Sequence, residues 1–192
     1  MAVPSPPSKP NRRQAARDAR RAFARALDAD ARNAQEAALA AIALPHLGSA
    51  RAVAGYHPMR DEISPLAILD ALTPGQAAAL PWFADRDSRM MFRAAPATEP
   101  GPWGVLQPPG DAEALAPDIV LVPLVLADRH GTRIGLGKGH YDRALAHLRA
   151  ASDVKAIGVA WDMQISEDAL PADPWDAPLD AIVTPSRWID CR

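Results

Sequence analysis

The chain has 192 residues, a formal net charge of −2 at neutral pH and a single cysteine close to its end. This length suits one domain with a full core, and the charge gives no bulk attraction to nucleic acid or to an anionic membrane. One cysteine excludes a disulfide framework and indicates a reducing compartment, which predicts a cytoplasmic protein. The sequence holds no run of about 18 apolar residues, so no membrane-spanning segment is expected.

The N-terminal part of the chain predicts a tail followed by two helices. Residues 1–11 hold four prolines and two serines, which predicts a flexible and dispensable tail before a single domain at 12–192. Residues 12–27 are good helix formers with a strongly basic face. A second helix is expected to follow, with Asp28 or Asp30 as its N-cap.

The remaining chain alternates predicted strands with helices. Ser64 is expected to cap a helix to about residue 72, and residues 96–117 form a long loop rich in proline and glycine. The solid apolar character of residues 119–123 predicts a strand buried on both faces, as in a parallel sheet. The fold class is therefore α/β with an open, mostly parallel sheet. The predicted strands are 51–57, 76–83, 90–93, 119–123, 155–160 and 181–184.

Polar residues follow three of these strands, at 57–62, 128–142 and 161–164. In open parallel sheets ligands bind outside the carboxyl ends of the strands. We therefore expect the three groups to face one cleft.

A glycine loop links the strand at 119–123 to a later helix. Gly135, Gly137 and Gly139 alternate around Lys138. Glycines let the backbone approach an anion, and a helix start offers unpaired N–H groups and the positive end of the helix dipole. This order predicts a phosphate site, although the spacing matches neither the P-loop nor the dinucleotide fingerprint. From spacing alone, a tight connection that only caps a helix remains the alternative.

The longer stretch from Pro123 to Arg143 reads PLVLADRHGTRIGLGKGHYDR. It resembles the signature of the 5-formyltetrahydrofolate cyclo-ligase family, P-x-L-x-F-D-x-x-G-x-R-L-G-x-G-x-G-Y-Y-D-R. Ala127 stands at the usual aromatic position and His140 at the first tyrosine. The resemblance implies a three-layer αβα fold, similar to sugar-phosphate isomerases and CoA transferases. It also implies conversion of 5-formyltetrahydrofolate to 5,10-methenyltetrahydrofolate with ATP and Mg²⁺, releasing ADP and phosphate.

The resemblance also implies an ATP site. Arg133 and Lys138 would be the catalytic residues, because they would stabilise charge on the transferred phosphoryl group. Arg13 and Arg17 resemble the Lys-x-x-x-Arg pair on the family's first helix. The ATP-binding residues implied are Arg13, Arg17, Arg133, Ile134, Gly135, Leu136, Gly137, Lys138, Gly139, His140 and Tyr141.

The folate site is implied by two further segments. Glu62 resembles the family's glutamate that binds the pterin, and a carboxylate can accept hydrogen bonds from the 2-amino group and a ring N–H together. Trp103 resembles an aromatic residue that walls the substrate cleft, with core filler as the alternative. The substrate-binding residues implied are His57, Glu62, Trp103 and His140.

Two aspartates are candidate Mg²⁺ ligands. Asp142 falls in the first turn of a helix, where an acid also suits the helix dipole. With the resemblance we favour a metal role, because Mg²⁺ takes one or two carboxylates plus phosphate oxygens. Asp176 is a second candidate ligand or a turn-forming aspartate before a strand.

Two other functions remain open at this stage. One is a sugar-phosphate isomerase of the same fold, which would work without ATP. The other is a non-catalytic folate- or nucleotide-binding relative. In all cases we expect a monomer with small-molecule ligands, and no nucleic-acid or membrane partner.

Overall fold

The computed structural model describes residues 8–191, so residues 1–7 of the predicted tail lie outside the described residues. The α-helices in this range are α1 (Lys9–Ala26), α2 (Ala29–Ala43), α3 (Leu66–Asp70) and α4 (His140–Arg149). The first six strands are β1 (Ala52–Ala54), β2 (Ala77–Trp82), β3 (Met91–Ala94), β4 (Glu99–Pro100), β5 (Leu106–Gln107) and β6 (Ile119–Pro123). The others are β7 (Leu126–Asp128), β8 (Arg133–Ile134), β9 (Lys155–Val159), β10 (Ile165–Ser166), β11 (Ala181–Val183) and β12 (Trp188–Asp190).

A seven-stranded sheet organises the chain, in the order β12-β11-β9-β6-β1-β2-β3. The five inner strands pair in parallel, and the edge strands β12 and β3 pair antiparallel. The central strand β6 is parallel to both β1 and β9, and Val120, Leu121 and Val122 are fully buried. The prediction of an open, mostly parallel α/β sheet is confirmed.

Helices cover both faces of this sheet. Leu121 packs on one face with Leu39 of α2 and Ile68 of α3. Val120 and Val122 point to the opposite face, where they join a cluster that contains Leu145 of α4. This alternation follows from the two-residue period of a strand. The result is the expected three-layer αβα arrangement.

The first helix begins three residues earlier than predicted. Ser8 is its N-cap and accepts a hydrogen bond from the Asn11 N–H through its side chain. Pro10 falls in the first turn, where a proline is tolerated because its missing N–H would have no helical partner. Residues 9–11 are therefore part of α1, and assigning them to a tail was wrong.

The starts of α2 and α3 agree with the boundaries predicted from the sequence, whereas β1 is shorter than predicted. Asp28 caps α2 by accepting a hydrogen bond from the Ala31 N–H at 2.8 Å, as expected. Ser64 accepts from the Leu66 N–H, and α3 starts at Leu66. The strand predicted at 51–57 is shorter, because β1 ends at Ala54 and the chain then leaves the sheet.

The short strands between the main elements were not predicted. β4 and β5 form a hairpin within the long loop. β7 and β8, which precede the glycine loop, form a small three-stranded sheet with β10, which follows α4 and β9 in the chain. Asp128 at the end of β7 is buried and accepts hydrogen bonds from the N–H groups of His130, Thr132 and Leu170. These bonds fix the turn that carries the chain from β7 into β8.

Within residues 8–191, no helix combines the length and the apolar character that crossing a bilayer would require.

Candidate active site

A cleft of about 890 Å³ opens at the carboxyl ends of β1 and β6. From β1 the chain proceeds to β2 on one side, and from β6 it proceeds to β9 on the other. The gap between β1 and β6 is therefore a topological switch point, which is where open α/β sheets bind ligands. Residues after both strands line the cleft, with α1, the glycine loop and the 170–179 loop around them.

Most of the predicted site residues meet in this cleft. Ile134 is fully buried within β8 and does not line it, and among the described residues Arg17 is not part of its lining either. Those that line it are Arg13, His57, Glu62, Trp103, Arg133, Gly135, Leu136, Gly137, Lys138, Gly139, His140, Tyr141, Asp142 and Asp176.

The third polar group, at residues 161–164, does not face the cleft as expected. Trp161 is fully buried, and its indole N–H donates to the Asp61 carbonyl oxygen at 3.1 Å. The buried Gln164 amide donates to the carbonyl oxygens of Leu124 and Val125. This group supports the backbone of the cleft floor, because buried amides satisfy their hydrogen bonds within the protein.

The glycine loop, residues 135–139, ends at the N-terminus of α4. Gly137 has φ of 90° and Gly139 has φ of 66°, a left-handed conformation that side chains disfavour. A Cβ on Gly139 would also lie 2.9 Å from the Arg143 Nη1 atom. The loop brings the unpaired N–H groups of the first helical turn to the cleft, which is the arrangement of an anion site.

Two arginines hold this loop in place. The Arg13 Nε atom donates to the Gly135 carbonyl oxygen at 2.8 Å, and Arg143 Nη1 donates to the Lys138 carbonyl oxygen at 3.1 Å. The Arg13 guanidinium carbon lies 3.5 Å from the position of a Cβ on Gly137, which is an ordinary van der Waals distance, so the glycine is favoured there by its positive φ and not by lack of space. Together with the exposed Lys138 of the loop itself, the two arginines place three positive side chains at the loop.

Sequence reasoning missed Lys9. Its ammonium group lines the cleft and donates to Asp173 at 2.7 Å and to Asp176 at 2.6 Å. Lys9 and Arg13 stand four residues apart and both line the cleft, which is the spacing of the Lys-x-x-x-Arg pair. The predicted pair was Arg13 and Arg17, and of these two residues Arg13 lines the cleft while Arg17 does not. The spacing was present in the sequence, but the prolines had led to a tail being predicted there.

The ion pairs of Lys9 shift the pKa of Lys9 and the pKa of Asp176. Burial alone would lower the pKa of Lys9, but the carboxylates of Asp173 and Asp176 outweigh it and raise that pKa. Burial likewise opposes ionisation of Asp176, yet the Asp173 N–H and the Lys9 ammonium hold the pKa of Asp176 below its usual value. Both groups are thus kept charged over a wide pH range.

Arg133 and Asp142 form the wall of the cleft below the glycine loop. Arg133 is 6% exposed, and its Nη2 atom donates to Asp142 Oδ1 at 2.6 Å. Its Nη1 atom donates to the Ala177 carbonyl oxygen, while the Ala177 N–H donates to Asp142 Oδ1 at 3.1 Å. β8, α4 and the 170–179 loop are therefore joined at one point.

The two candidate metal ligands lie at this same end of the cleft. Ala177, which contacts Asp142, directly follows Asp176. Among the described residues, hydrogen bonds reach Asp142 only at Oδ1 and Asp176 only at Oδ2. Residues 8–191 contain no cluster of three or more metal-ligating side chains. This donor set fits Mg²⁺ held by one or two carboxylates and phosphate oxygens, and not a site made of protein ligands alone.

The other end of the cleft is apolar around one buried carboxylate. Glu62 is 5% exposed, and its Oε2 atom accepts from the Met59 N–H at 2.9 Å. Its Oε1 atom lies 3.6 Å from Nη1 of the buried Arg20. Burial raises the pKa of Glu62, and the Met59 N–H and Arg20 offset this only in part. We call this end of the cleft the apolar recess. It contains a buried hydrogen-bond acceptor, the Glu62 carboxylate, that has few donors within the protein.

Aromatic side chains line the cleft between the glycine loop and the recess around Glu62. Trp103 is 39% exposed and packs edge-on against Phe83, with ring centroids 6.4 Å apart, so it is a wall of the cleft and not core filler. His140 lies 5.0 Å from Phe83 and 5.4 Å from Trp103. Burial lowers the pKa of His140, and Arg143 and Lys138 lower it further, which favours a neutral imidazole.

A glycine loop at the switch point of a parallel sheet, beside an apolar recess with a buried carboxylate, is typical of α/β enzymes that handle phosphate groups. Residues 6–185 match the model of the 5-formyltetrahydrofolate cyclo-ligase family, and the chain belongs to that family. The family resemblance noted in the sequence is confirmed.

Individual relatives agree with this assignment. The 5-formyltetrahydrofolate cyclo-ligase of Mycolicibacterium smegmatis is 32% identical over 157 residues, which cover 73% of this chain and 77% of that protein. The Escherichia coli K12 enzyme of the same name is 43% identical over 70 residues, covering 36% of this chain and 37% of that one. The solved structure of Aquifex aeolicus 5,10-methenyltetrahydrofolate synthetase superposes with a TM-score of 0.76 at 26% identity, covering 96% and 93% of the two chains.

We predict that Lys9→Met lowers the free energy of unfolding by about 1 kcal/mol, because two partly buried ion pairs are lost. Asp176 has a lowered pKa, so its contribution is present above its ordinary value of 3.8 and is lost as pH falls through the folded value. Lys9 has a raised pKa, so its contribution is present below 10.5 and is lost as pH rises through the folded value. Urea denaturation at several pH values measures the difference.

The control for Lys9→Met is Arg129→Met, which removes an exposed ion pair with Glu167 at 3.6 Å. We expect no measurable change there. Equal stability of Lys9→Met and the parent chain near neutral pH would contradict the prediction.

Proposed function

We propose that this enzyme converts 5-formyltetrahydrofolate to 5,10-methenyltetrahydrofolate in a reaction that consumes ATP and requires Mg²⁺. The observation that carries the proposal is that one cleft joins a cationic glycine loop to an apolar recess with a buried carboxylate. A phosphate donor at the loop and a folate in the recess would lie side by side. That is the arrangement a phosphoryl transfer to the folate needs.

The folate would occupy the recess around Glu62. Its pterin ring offers an amino group and a ring N–H, which a buried carboxylate can accept together. Trp103 would present a flat apolar face to the folate, and His57 and His140 would contact it from either side. His140 stands between the two ends of the cleft, so we propose that it contacts both substrates.

ATP would place its triphosphate on the glycine loop and the N-terminus of α4. The backbone N–H groups of the loop and the charges of Arg13 and Lys138 favour an anion there. We add Lys9 to the residues proposed from the sequence, because it faces the same end of the cleft. The proposal for Arg17 has no such support.

Mg²⁺ would be held by Asp142 and Asp176 together with phosphate oxygens, and it would neutralise charge on the transferred group. Arg133 holds Oδ1 of Asp142, which orients the carboxylate and leaves Oδ2 for the ion. Arg133 therefore acts first as a positioning residue. With Lys138 it would also offset negative charge during transfer.

The chemistry requires no nucleophile from the protein. The formyl oxygen attacks the γ-phosphorus of ATP, and the bond to ADP breaks. N10 of the folate then attacks the formyl carbon, the carbon–oxygen bond breaks, and phosphate leaves with the former formyl oxygen. The N10 proton is released, and the product carries a positive charge shared by N5 and N10. The protein's part is positioning and charge stabilisation.

We further propose that the enzyme is a cytoplasmic monomer whose partners are these two small molecules. The single cysteine supports the cytoplasmic location, and the net charge of −2 gives no attraction to nucleic acid or anionic membranes.

The deciding experiment follows the absorbance of the methenyl product from 5-formyltetrahydrofolate, with and without ATP and Mg²⁺. We expect turnover only when both are present. Turnover without ATP, or binding of the folate without turnover, would contradict the proposal and favour an isomerase-like enzyme or a non-catalytic relative.

We predict that Glu62→Gln raises the KM for the folate about tenfold with little effect on the KM for ATP. The amide keeps the size of the side chain but loses its charge and half of its acceptor capacity. A ten-fold change corresponds to about 1.4 kcal/mol. Steady-state kinetics with each substrate varied in turn measure both constants.

The matched variant is Lys138→Ala at the other end of the cleft. Loss of a charge-assisted phosphate contact of about 1.5–3 kcal/mol should raise the KM for ATP and leave that for the folate. The assignment of the two ends is wrong if both variants change the same constant.

We predict that Asp142→Asn lowers kcat strongly and that high Mg²⁺ recovers part of the loss. Asparagine keeps the shape of the side chain and much of its hydrogen bonding to Ala177, so a role limited to structure would change stability and not the Mg²⁺ dependence. Turnover as a function of Mg²⁺ concentration, with the melting temperature, separates the two.

Asp118→Asn is the structural control. Asp118 accepts hydrogen bonds from the N–H groups of Arg51 and Ala52, away from the cleft. This variant should lose stability with an unshifted Mg²⁺ dependence. The same behaviour in Asp142→Asn would show that Asp142 is not a Mg²⁺ ligand.

A further inference from the structure

A buried arginine lies behind the apolar recess, and the proposed chemistry assigns it no role. Arg20 stands on α1 and is 2% exposed, and among the described residues of that helix it alone is buried. A guanidinium group has no neutral form in proteins, so a buried one must be paired within the molecule. The partners of Arg20 therefore indicate what it does.

Arg20 bridges the two segments that leave the switch point of the sheet. Its Nε atom donates to Asp61 Oδ2 at 2.9 Å, in the loop after β1. Its Nη1 atom donates to the Leu124 carbonyl oxygen at 3.0 Å, directly after β6. The same Nη1 atom lies 3.6 Å from Glu62 Oε1. The guanidinium group is thus held in a fixed place next to the carboxylate of the recess.

The contact between Arg20 and Glu62 is electrostatic. A separation of 3.6 Å is too long for a hydrogen bond but close for two opposite charges. Arg20 therefore supplies a nearby positive charge without occupying the lone pairs of Oε1. On the other oxygen, Oε2, the donor is the Met59 N–H at 2.9 Å. Acceptor capacity remains on the carboxylate for the N–H groups of a ligand in the recess.

The charge of Glu62 depends on the balance among its neighbours. Burial raises the pKa of Glu62 and Asp61 raises it further, whereas a backbone N–H and Arg20 lower it. Burial also raises the pKa of Tyr56 and of Tyr141, so both phenols stay neutral and add no charge. Within residues 8–191, Arg20 is the one cation within salt-bridge distance of this carboxylate.

We propose that Arg20 is a positioning residue for the folate, which keeps Glu62 ionised and directed into the apolar recess. The inference rests on the proposed function, and it adds to that function a residue that acts through Glu62 and does not itself contact the substrate. Asp61 competes with Glu62 for the same guanidinium group. It therefore anchors Arg20 and at the same time limits the charge that Arg20 supplies to Glu62.

The test measures the Kd of the full chain for 5-formyltetrahydrofolate without ATP, by calorimetry from about pH 6 to about pH 8.5. In the parent chain Glu62 stays ionised, so the Kd should change less than about twofold over this range. In Arg20→Met the pKa of Glu62 should rise, and protonation then removes the acceptor as pH falls. We expect a Kd raised about tenfold near the acidic end and by a smaller factor near the basic end. Adding Glu62→Gln to Arg20→Met should abolish this pH dependence.

Asp61→Asn tests the same balance with the opposite sign. Asparagine keeps an oxygen for the Arg20 Nε–H but removes the competing charge, so Arg20 acts on Glu62 alone. We expect a folate Kd equal to or below that of the parent chain, although the melting temperature falls. A role limited to joining α1 to the loop predicts weaker binding instead. Arg20→Met loses a buried ion pair, so its melting temperature is measured first, and Asp61→Asn decides alone if Arg20→Met does not fold.

Arg32→Met is the matched control. Arg32 on α2 donates to the backbone carbonyl oxygens of Arg60 and Glu62, and it pairs with Glu36 at 3.0 Å. It holds the same loop through its backbone and not through the Glu62 carboxylate. This variant should lose stability and keep a Kd that does not depend on pH.

Three results would overturn the inference. They are an unchanged folate Kd in Arg20→Met, a Kd raised by the same factor at every pH, and weaker binding in Asp61→Asn than in the parent chain. None of them affects the proposed function, because the parent chain still binds the folate. A parent chain that binds no 5-formyltetrahydrofolate would instead contradict the folate site itself, and the inference with it.

Discussion

The ion pair between Arg133 and Asp142 is the interaction on which the cleft depends. It joins the end of β8 to the first turn of α4, and both side chains also bind the backbone of Ala177. A buried arginine is costly unless it is paired and its donors are satisfied, so the three segments are held together by a shared requirement. The glycine loop between β8 and α4 is thereby kept in position before any ligand arrives.

The sheet determines why residues from distant segments meet in this cleft. The chain leaves β1 and β6 in opposite directions, and the gap at their carboxyl ends receives loops from both halves of the sheet. The loop after β1 brings Glu62, while the segments after β6 bring the glycine loop and Asp142. Helix α1 contributes Lys9 and Arg13 to the lining of the cleft, and Arg21 and Arg25 further along the helix line a second cavity beside it.

Local patterns in the sequence were sufficient where one segment carries all the information. The alternating glycines predicted the loop that ends at the N-terminus of α4, and the apolar run at 119–123 predicted the central strand. Local patterns failed where the position of a side chain depends on partners that are distant in the sequence. Lys9 looked like part of a tail because its two aspartates lie more than 160 residues away. Gln164 looked like a cleft residue, although its amide binds the backbone of Leu124 and Val125.

The sequence by itself determined the parallel α/β sheet, the glycine loop and the family, because periodicity, turn chemistry and a long contiguous motif are local properties. Only the tertiary structure decided that Lys9 and Arg13 line the cleft together, that Trp103 walls the cleft and that Arg133 is tied to Asp142. Charge pairing and burial depend on which surfaces meet when the helices pack on the sheet. The spacing of residues along the chain does not determine which side chains come into contact.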